Sequence, residues 1–301
     1  MNRMVRATVA VLCCAVAGAG LAACDDEDDA MADAPVSVGS EAPRTEHAPL
    51  TGDTKIKVGD RSVHVSCSGE AKPGAPVIML LHGGGDGLDK MAGFQRTLSE
   101  KNRVCSYDRL GAGTSDQPSG PQTMETSGEV LTSVIDQVAG DAPVVLAGHS
   151  LGGLFAGRYA PEHQDRVKGV VLMDATSPVQ AADLTRLIPQ NATGDAAQLR
   201  DQTLAMLGGQ NPEQLATKDG EVRSAGDIPV AVIQHGQQYL AAIPQYGPAL
   251  EQAWSDGAKK WLGLSSRSTL STAAKSGHYI YLDEPAVAVE EIQRVVASVT
   301  A

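Results

Sequence analysis

The sequence predicts an α/β fold with a mostly parallel central sheet flanked by helices, and two observations carry that expectation. Short apolar runs recur along the chain with helix-patterned stretches between them, the alternation that covers both faces of a parallel sheet. The middle runs are apolar at consecutive positions rather than at every second one, as strands buried on both faces are. With 301 residues, 42% hydrophobic and 20% charged, the chain is long enough for a large core and needs no second domain.

Taken in order, the expected strands are 61–66, 76–81, 103–107, 143–147, 167–173 and 228–234, with a weaker one at 268–273. Helical stretches are expected at 153–160 and 285–299. Between Ser177 and Asp227 the alternation breaks, and Leu184, Leu187, Leu199, Leu204, Leu207 and Leu215 recur at roughly helical spacing. A structureless loop of that length is rare in a compact domain, so residues 177–227 are read as a helical insertion.

The segment before the domain reads as an address. Arg3 and Arg6 precede the apolar run Ala7 to Ala23, the pattern of an export signal over residues 1–23. An uncleaved membrane helix fits less well, because a crossing needs about 20 apolar residues and acids follow this run at once. The run closes on Leu21-Ala22-Ala23-Cys24, which resembles a bacterial lipobox. That resemblance implies a diacylglyceryl group on Cys24 and a location on the outer face of the cell membrane; a plain secretion signal with a chance cysteine is the alternative. Residues 24–50 are rich in Asp, Ala, Pro, Ser and Glu and cannot bury enough apolar surface to fold, so they are expected to be an acidic tether to a domain at 51–301.

A net charge of −12 and a pI near 5.0 repel phosphate backbones, which excludes a nucleic-acid partner. Part of that charge is the run Asp25 to Asp29, so the domain itself is less acidic. Aromatics are 3% of the chain, which argues against a greasy, aromatic-lined pocket. Of the five cysteines, Cys13 and Cys14 lie in the signal and Cys24 is the lipidation candidate, leaving Cys67 and Cys105 as either a disulfide or two buried thiols.

Chemistry concentrates in three places. Gly148-His149-Ser150-Leu151-Gly152 is a G-x-S-x-G placed directly after a buried strand and before a helix-like run. A sharp strand-to-helix turn needs glycines where a β-carbon would clash, and it lifts the serine oxygen above the sheet. Ser150 is therefore the candidate nucleophile, at a helix N-terminus that favours developing negative charge. A serine hydroxyl needs a base, and of seven histidines only His278, in Ser276-Gly277-His278-Tyr279, follows the nucleophile in a glycine-containing loop at a strand end. His82 and His149 fall in loops around the site, while His163 and His235 read as incidental. His82-Gly83-Gly84-Gly85 follows another apolar strand and reads as an oxyanion loop, with the amides of Gly84 and Leu151 as donors by position.

From about Val58 onward these features resemble the α/β-hydrolase superfamily, and exported members in particular. The sequence Tyr107-Asp108-Arg109-Leu110-Gly111-Ala112-Gly113-Thr114-Ser115-Asp116 matches a motif found there after the fourth strand, and all four features occur in the family's order. The resemblance implies that Asp108 and Arg109 pin the loop beneath the site, and that the insertion, between the family's strands 6 and 7, forms a cap. It also places the strand ending at Cys67 beside the one containing Cys105; strands about 4.8 Å apart permit a disulfide, so the bonded alternative is preferred.

One element departs from the family pattern. The acid usually follows the seventh strand as Gly-x-x-Asp, and here that stretch reads Gly236-Gln237-Gln238-Tyr239. Asp174, at the end of the sixth strand, is the next candidate; as a turn cap it would be merely structural, and Glu251, Asp256 and Asp227 stay open as alternatives. The expected function is a serine hydrolase that cleaves a modest-sized ester-like substrate, without metal or organic cofactor. An aminopeptidase or amidase with the same triad, a cofactor-free peroxidase side activity and a non-catalytic surface-binding lipoprotein are the rivals.

Overall fold

A computed structural model describes residues 50–300 of the chain. The expected signal, the lipidation candidate Cys24 and all but the last residue of the tether lie outside the described residues.

Eight strands form one sheet in the order β1-β2-β4-β3-β5-β6-β7-β8. They are β1 (Gly52–Val58), β2 (Arg61–Ser68), β3 (Val77–Leu81), β4 (Val104–Tyr107), β5 (Val144–His149), β6 (Val167–Met173), β7 (Pro229–His235) and β8 (Arg267–Ala273). The β1–β2 and β2–β4 pairs are antiparallel and every other pair is parallel. Seven strands lie where the apolar runs predicted them. β1 was missed because it is an edge strand with one buried side chain, Ile56, between the exposed Lys55 and Lys57, so it carries almost no apolar pattern.

Helices cover both faces. α1 (Ala92–Ser99) follows β3, α2 (Met124–Ala139) follows β4, and α3 (Leu151–Tyr159) follows β5. Beyond β6 come α4 (Gln180–Leu187) and α5 (Gly194–Leu207) in the insertion, then α6 (Gly247–Lys260) after β7, and α7 (Ile280–Asp283) and α8 (Pro285–Thr300) after β8. Because alternate side chains of a strand point to opposite faces, the central strands feed two cores. Met79, Leu81, Leu146, Leu172 and Val232 meet α2, α3 and Trp261 on one side. Ile78, Leu80, Val145, Val171 and Ile233 meet Phe94 of α1 and Ile292 and Val295 of α8 on the other. Every side chain of β3, β4 and β5 is buried. Each apolar side chain so buried is worth about 1.5–3 kcal/mol, which makes this double-faced sheet a rigid platform.

Cys67 and Cys105 face each other in the β2–β4 ladder and are disulfide-bonded. A smaller cluster of Leu184, Ile188, Ala196 and Leu250 holds the insertion helices against α6.

Candidate active site

The carboxyl ends of parallel strands are where an open α/β sheet offers a crevice, and the chemistry-bearing residues collect there. At the end of β5 the chain turns abruptly into α3 through Ser150, whose φ of 51° is positive. A non-glycine residue in that region is strained and persists only where its surroundings hold it. Here the Ser150 amide donates to the Met173 carbonyl at 3.2 Å, and its own carbonyl accepts from Gly153, Leu154 and Thr176 at 2.9, 3.1 and 3.1 Å. Glycine on either side is a matter of contact. A Cβ on Gly148 would sit 2.3 Å from the Gly152 carbonyl oxygen, and one on Gly152 would sit 2.2 Å from that of Leu81.

His278 lies in the loop after β8. Its Nδ1 donates to Asp174 Oδ2 at 2.7 Å. Asp174 directly follows β6, has a positive φ of 44°, and is almost wholly buried. Its Oδ1 also accepts from the Trp254 indole at 2.9 Å and from the backbone and Nδ1 of His235 at 3.1 and 2.8 Å. Burial works against ionising this carboxyl, but the hydrogen bonds from His235 and His278 and the charges of those rings outweigh it and bring its pKa down to about 2.

The neighbouring His149 holds the loop that carries His278. Its Nε2 donates to the His278 carbonyl at 2.9 Å. Burial first, and the charge of His278 second, push the His149 pKa down to about 3, so the ring is neutral. The loop after β3 brings Gly84 beside Leu151, the first residue of α3; a Cβ on Gly84 would come within 3.3 Å of the Leu151 side chain. Gly84, Ser150 and His278 all line one cavity of about 290 Å³.

The chain matches the family model described as "alpha/beta hydrolase fold" over residues 76–205. A carboxylesterase from Bacillus subtilis superposes with a TM-score of 0.57 at 18% identity, covering 82% of this chain and 92% of that one, a likeness of fold. The chain has the α/β-hydrolase fold. Among curated sequences it is 32% identical to the (lyso)-N-acylphosphatidylethanolamine lipase of Bos taurus over 123 residues, which is 40% of this chain and 36% of that protein. It is 31% identical to the proline iminopeptidase of Saccharolobus solfataricus over 118 residues, 38% of each. The matched region thus spans little more than a third of either relative's length.

In this fold the motif after β4 holds the glycine loop that follows β3 in place. Asp108 accepts from the backbone of Leu88 and Thr114 at 2.7 and 3.0 Å. Arg109 is buried, donates to the carbonyls of His82 and Gly83 at 2.8 and 3.0 Å, and forms a two-pronged ion pair with Glu213 of the insertion at 2.6 and 2.9 Å. One guanidinium therefore ties the glycine loop to the segment after α5.

Of the four carboxylates weighed from the sequence, the fold brings Asp174 to His278. Asp256 is exposed on α6 and bonds Lys259 and Gln252, and Asp227 is exposed in the loop before β7. Glu251 reaches the network, but through His235 at 2.9 Å rather than His278. His235, read from the sequence as incidental, is buried against Asp174. Its one local signal was its place as the last residue of a buried parallel strand, the edge where this fold keeps its functional groups. The low aromatic content also misled: Tyr239, Trp254 and Tyr279 all line the cavity, because composition counts rings without locating them.

Proposed function

We propose that this chain is a serine hydrolase that cleaves an ester-like bond through an acyl-enzyme. The observation that carries the reading is the 2.7 Å bond from His278 Nδ1 to a buried, ionised Asp174, with His278 and a positive-φ Ser150 on the wall of the same cavity. Asp174 fixes the tautomer of His278, which leaves Nε2 as the proton acceptor. In the first half-reaction Ser150 Oγ attacks the carbonyl carbon while its proton passes to His278 Nε2. The carbonyl oxygen becomes an oxyanion facing the amides of Gly84 and Leu151, and the alcohol leaves with the proton from His278. In the second half-reaction His278 takes a proton from water as its oxygen attacks the acyl carbon; the intermediate then collapses, the bond to Ser150 Oγ breaks, His278 returns the proton to that oxygen, and the acid leaves.

Leu184, Leu187, Leu199 and Leu250 line the cavity. That surface favours an uncharged aliphatic group, and about 290 Å³ lies at the lower end of the range for small-molecule sites, which supports modest-sized esters. The lipase and carboxylesterase relatives agree with ester chemistry, whereas the iminopeptidase keeps amide substrates in view. Fluorophosphonate labelling followed by peptide mapping tests the reading: Ser150 should carry the label, and an intact folded protein that stays unlabelled there would leave a binding protein instead. Faster turnover of aminoacyl anilides than of p-nitrophenyl esters would replace the esterase with a peptidase.

We infer as well that the chain is exported and held at the outer face of the membrane by a lipid on Cys24. Support comes from the basic, apolar and Leu-Ala-Ala-Cys pattern of the first 24 residues. Metabolic palmitate labelling that survives unchanged in a Cys24→Ala variant would refute the anchor.

A further inference from the structure

We propose that His235 is a positioning residue for this site: bonded between two carboxylates, it serves as an imidazolium that fixes Asp174 and balances the charge of Glu251. The inference deepens the hydrolase reading above, since it concerns the acid that orients His278.

The geometry leaves the ring few choices. His235 Nδ1 faces Asp174 Oδ1 and Oδ2 at 2.8 and 2.9 Å, and His235 Nε2 faces Glu251 Oε2 at 2.9 Å. A neutral imidazole has one N–H and one lone pair, and ionised carboxylates only accept. A neutral ring would therefore set a lone pair against an anion in a buried place. With both nitrogens protonated, each contact is a charge-assisted hydrogen bond. The other groups facing this cluster do not supply the cation: the Tyr239 ring lies 4.8 Å from that of His235, Trp254 is uncharged, and His278 stands across Asp174. Burial disfavours the charged ring, but its bonds to Asp174 and Glu251 and their charges outweigh that and raise its pKa.

Glu251 is fixed in turn. Its Oε1 accepts from the backbone of Leu240 and Ala241 at 2.6 and 3.2 Å, in the turn that brings Tyr239 to the cavity. A second cleft of about 350 Å³ is lined by His235, Glu251 and Thr272 but by neither Ser150 nor His278. Through it the pair can exchange protons with solvent while substrate fills the other cavity.

The consequence for catalysis is electrostatic. With His235 charged, the three groups behind His278 sum to −1; without that charge they sum to −2, and His278 holds its proton to higher pH. His235→Asn keeps an amide donor toward Asp174 but removes the cation. The acidic limb of kcat/KM on a p-nitrophenyl ester should then move up by about one pH unit. The double variant His235→Asn/Glu251→Gln, which removes both charges, should bring the limb back toward the wild type. A soluble His235→Asn protein with native circular dichroism and an unmoved limb would overturn the proposal, because a merely structural histidine would change amplitude and not position.

Nitrogen-15 NMR of the wild-type ring reads the same claim without turnover. Both ring nitrogens of His235 should show the shifts of protonated sites at pH 7, and a neutral ring there would overturn the proposal even if His235→Asn fails to fold. Failure of the hydrolase reading would appear separately, as an unlabelled Ser150.

Discussion

Asp174 at the end of β6 and His278 beyond β8 meet at 2.7 Å, although 104 residues separate them in the chain. In this chain β7 ends on His235, and the carboxylate that reaches His278 follows the neighbouring strand, β6. Asp174→Asn should keep the fold and lower kcat by about 10³- to 10⁴-fold, because the amide no longer fixes the productive tautomer. Asp256→Asn and Asp227→Asn, altering exposed carboxylates away from His278, should leave kcat unchanged. Full activity in Asp174→Asn would move the acid elsewhere.

Gly152 lets α3 start against the loop after β3. Gly152→Ala would place a methyl 2.2 Å from the Leu81 carbonyl oxygen and 2.6 Å from that of His82, so the turn at Ser150 and the glycine loop after β3 must part. Fluorophosphonate labelling should slow by at least tenfold with the protein still soluble, since small misplacements at a reacting atom are costly. Labelling at the wild-type rate would show that the elbow tolerates the strain.

The Arg109–Glu213 pair is buried on both sides. Glu213→Gln leaves a guanidinium without its counter-charge and should cost about 3–5 kcal/mol in denaturant unfolding. Arg109→Met/Glu213→Leu should recover much of that loss in stability, yet not the activity, because the carbonyls of His82 and Gly83 lose their donor.

The disulfide between Cys67 and Cys105 closes 38 residues of sequence. Replacing both cysteines with alanine should lower unfolding stability by about 2–4 kcal/mol, mainly by freeing the unfolded chain. An equal midpoint for the oxidised protein and the double variant would refute that contribution.

Stability should also fall toward both ends of the pH scale. The Asp174 pKa is depressed in the folded state, so its contribution is present above the unfolded value near 3.8 and lost as pH falls toward about 2. That is worth about 2 kcal/mol. The His235 pKa is raised, so its contribution is complete below the unfolded value of 6.5 and is lost as pH climbs through the folded one. Chemical denaturation across pH should show both limbs, and Glu251→Gln should shift the alkaline one to lower pH.

What the sequence determined by itself was the part written in local patterns. Short apolar runs, consecutive in the middle strands and weaker at 268–273, marked seven of the eight strands, and Gly148 to Gly152 marked the turn at Ser150, because burial and steric clash act on residues close in the chain. β1 escaped for the same reason, since an edge strand with only Ile56 buried leaves little pattern. The tertiary structure alone decided which carboxylate reaches His278, that His235 stands between Asp174 and Glu251, that Arg109 finds Glu213, and that three of the few aromatics gather around one cavity. Each of these joins residues distant in sequence, and such pairings follow from strand order and helix packing, which no short window of residues encodes.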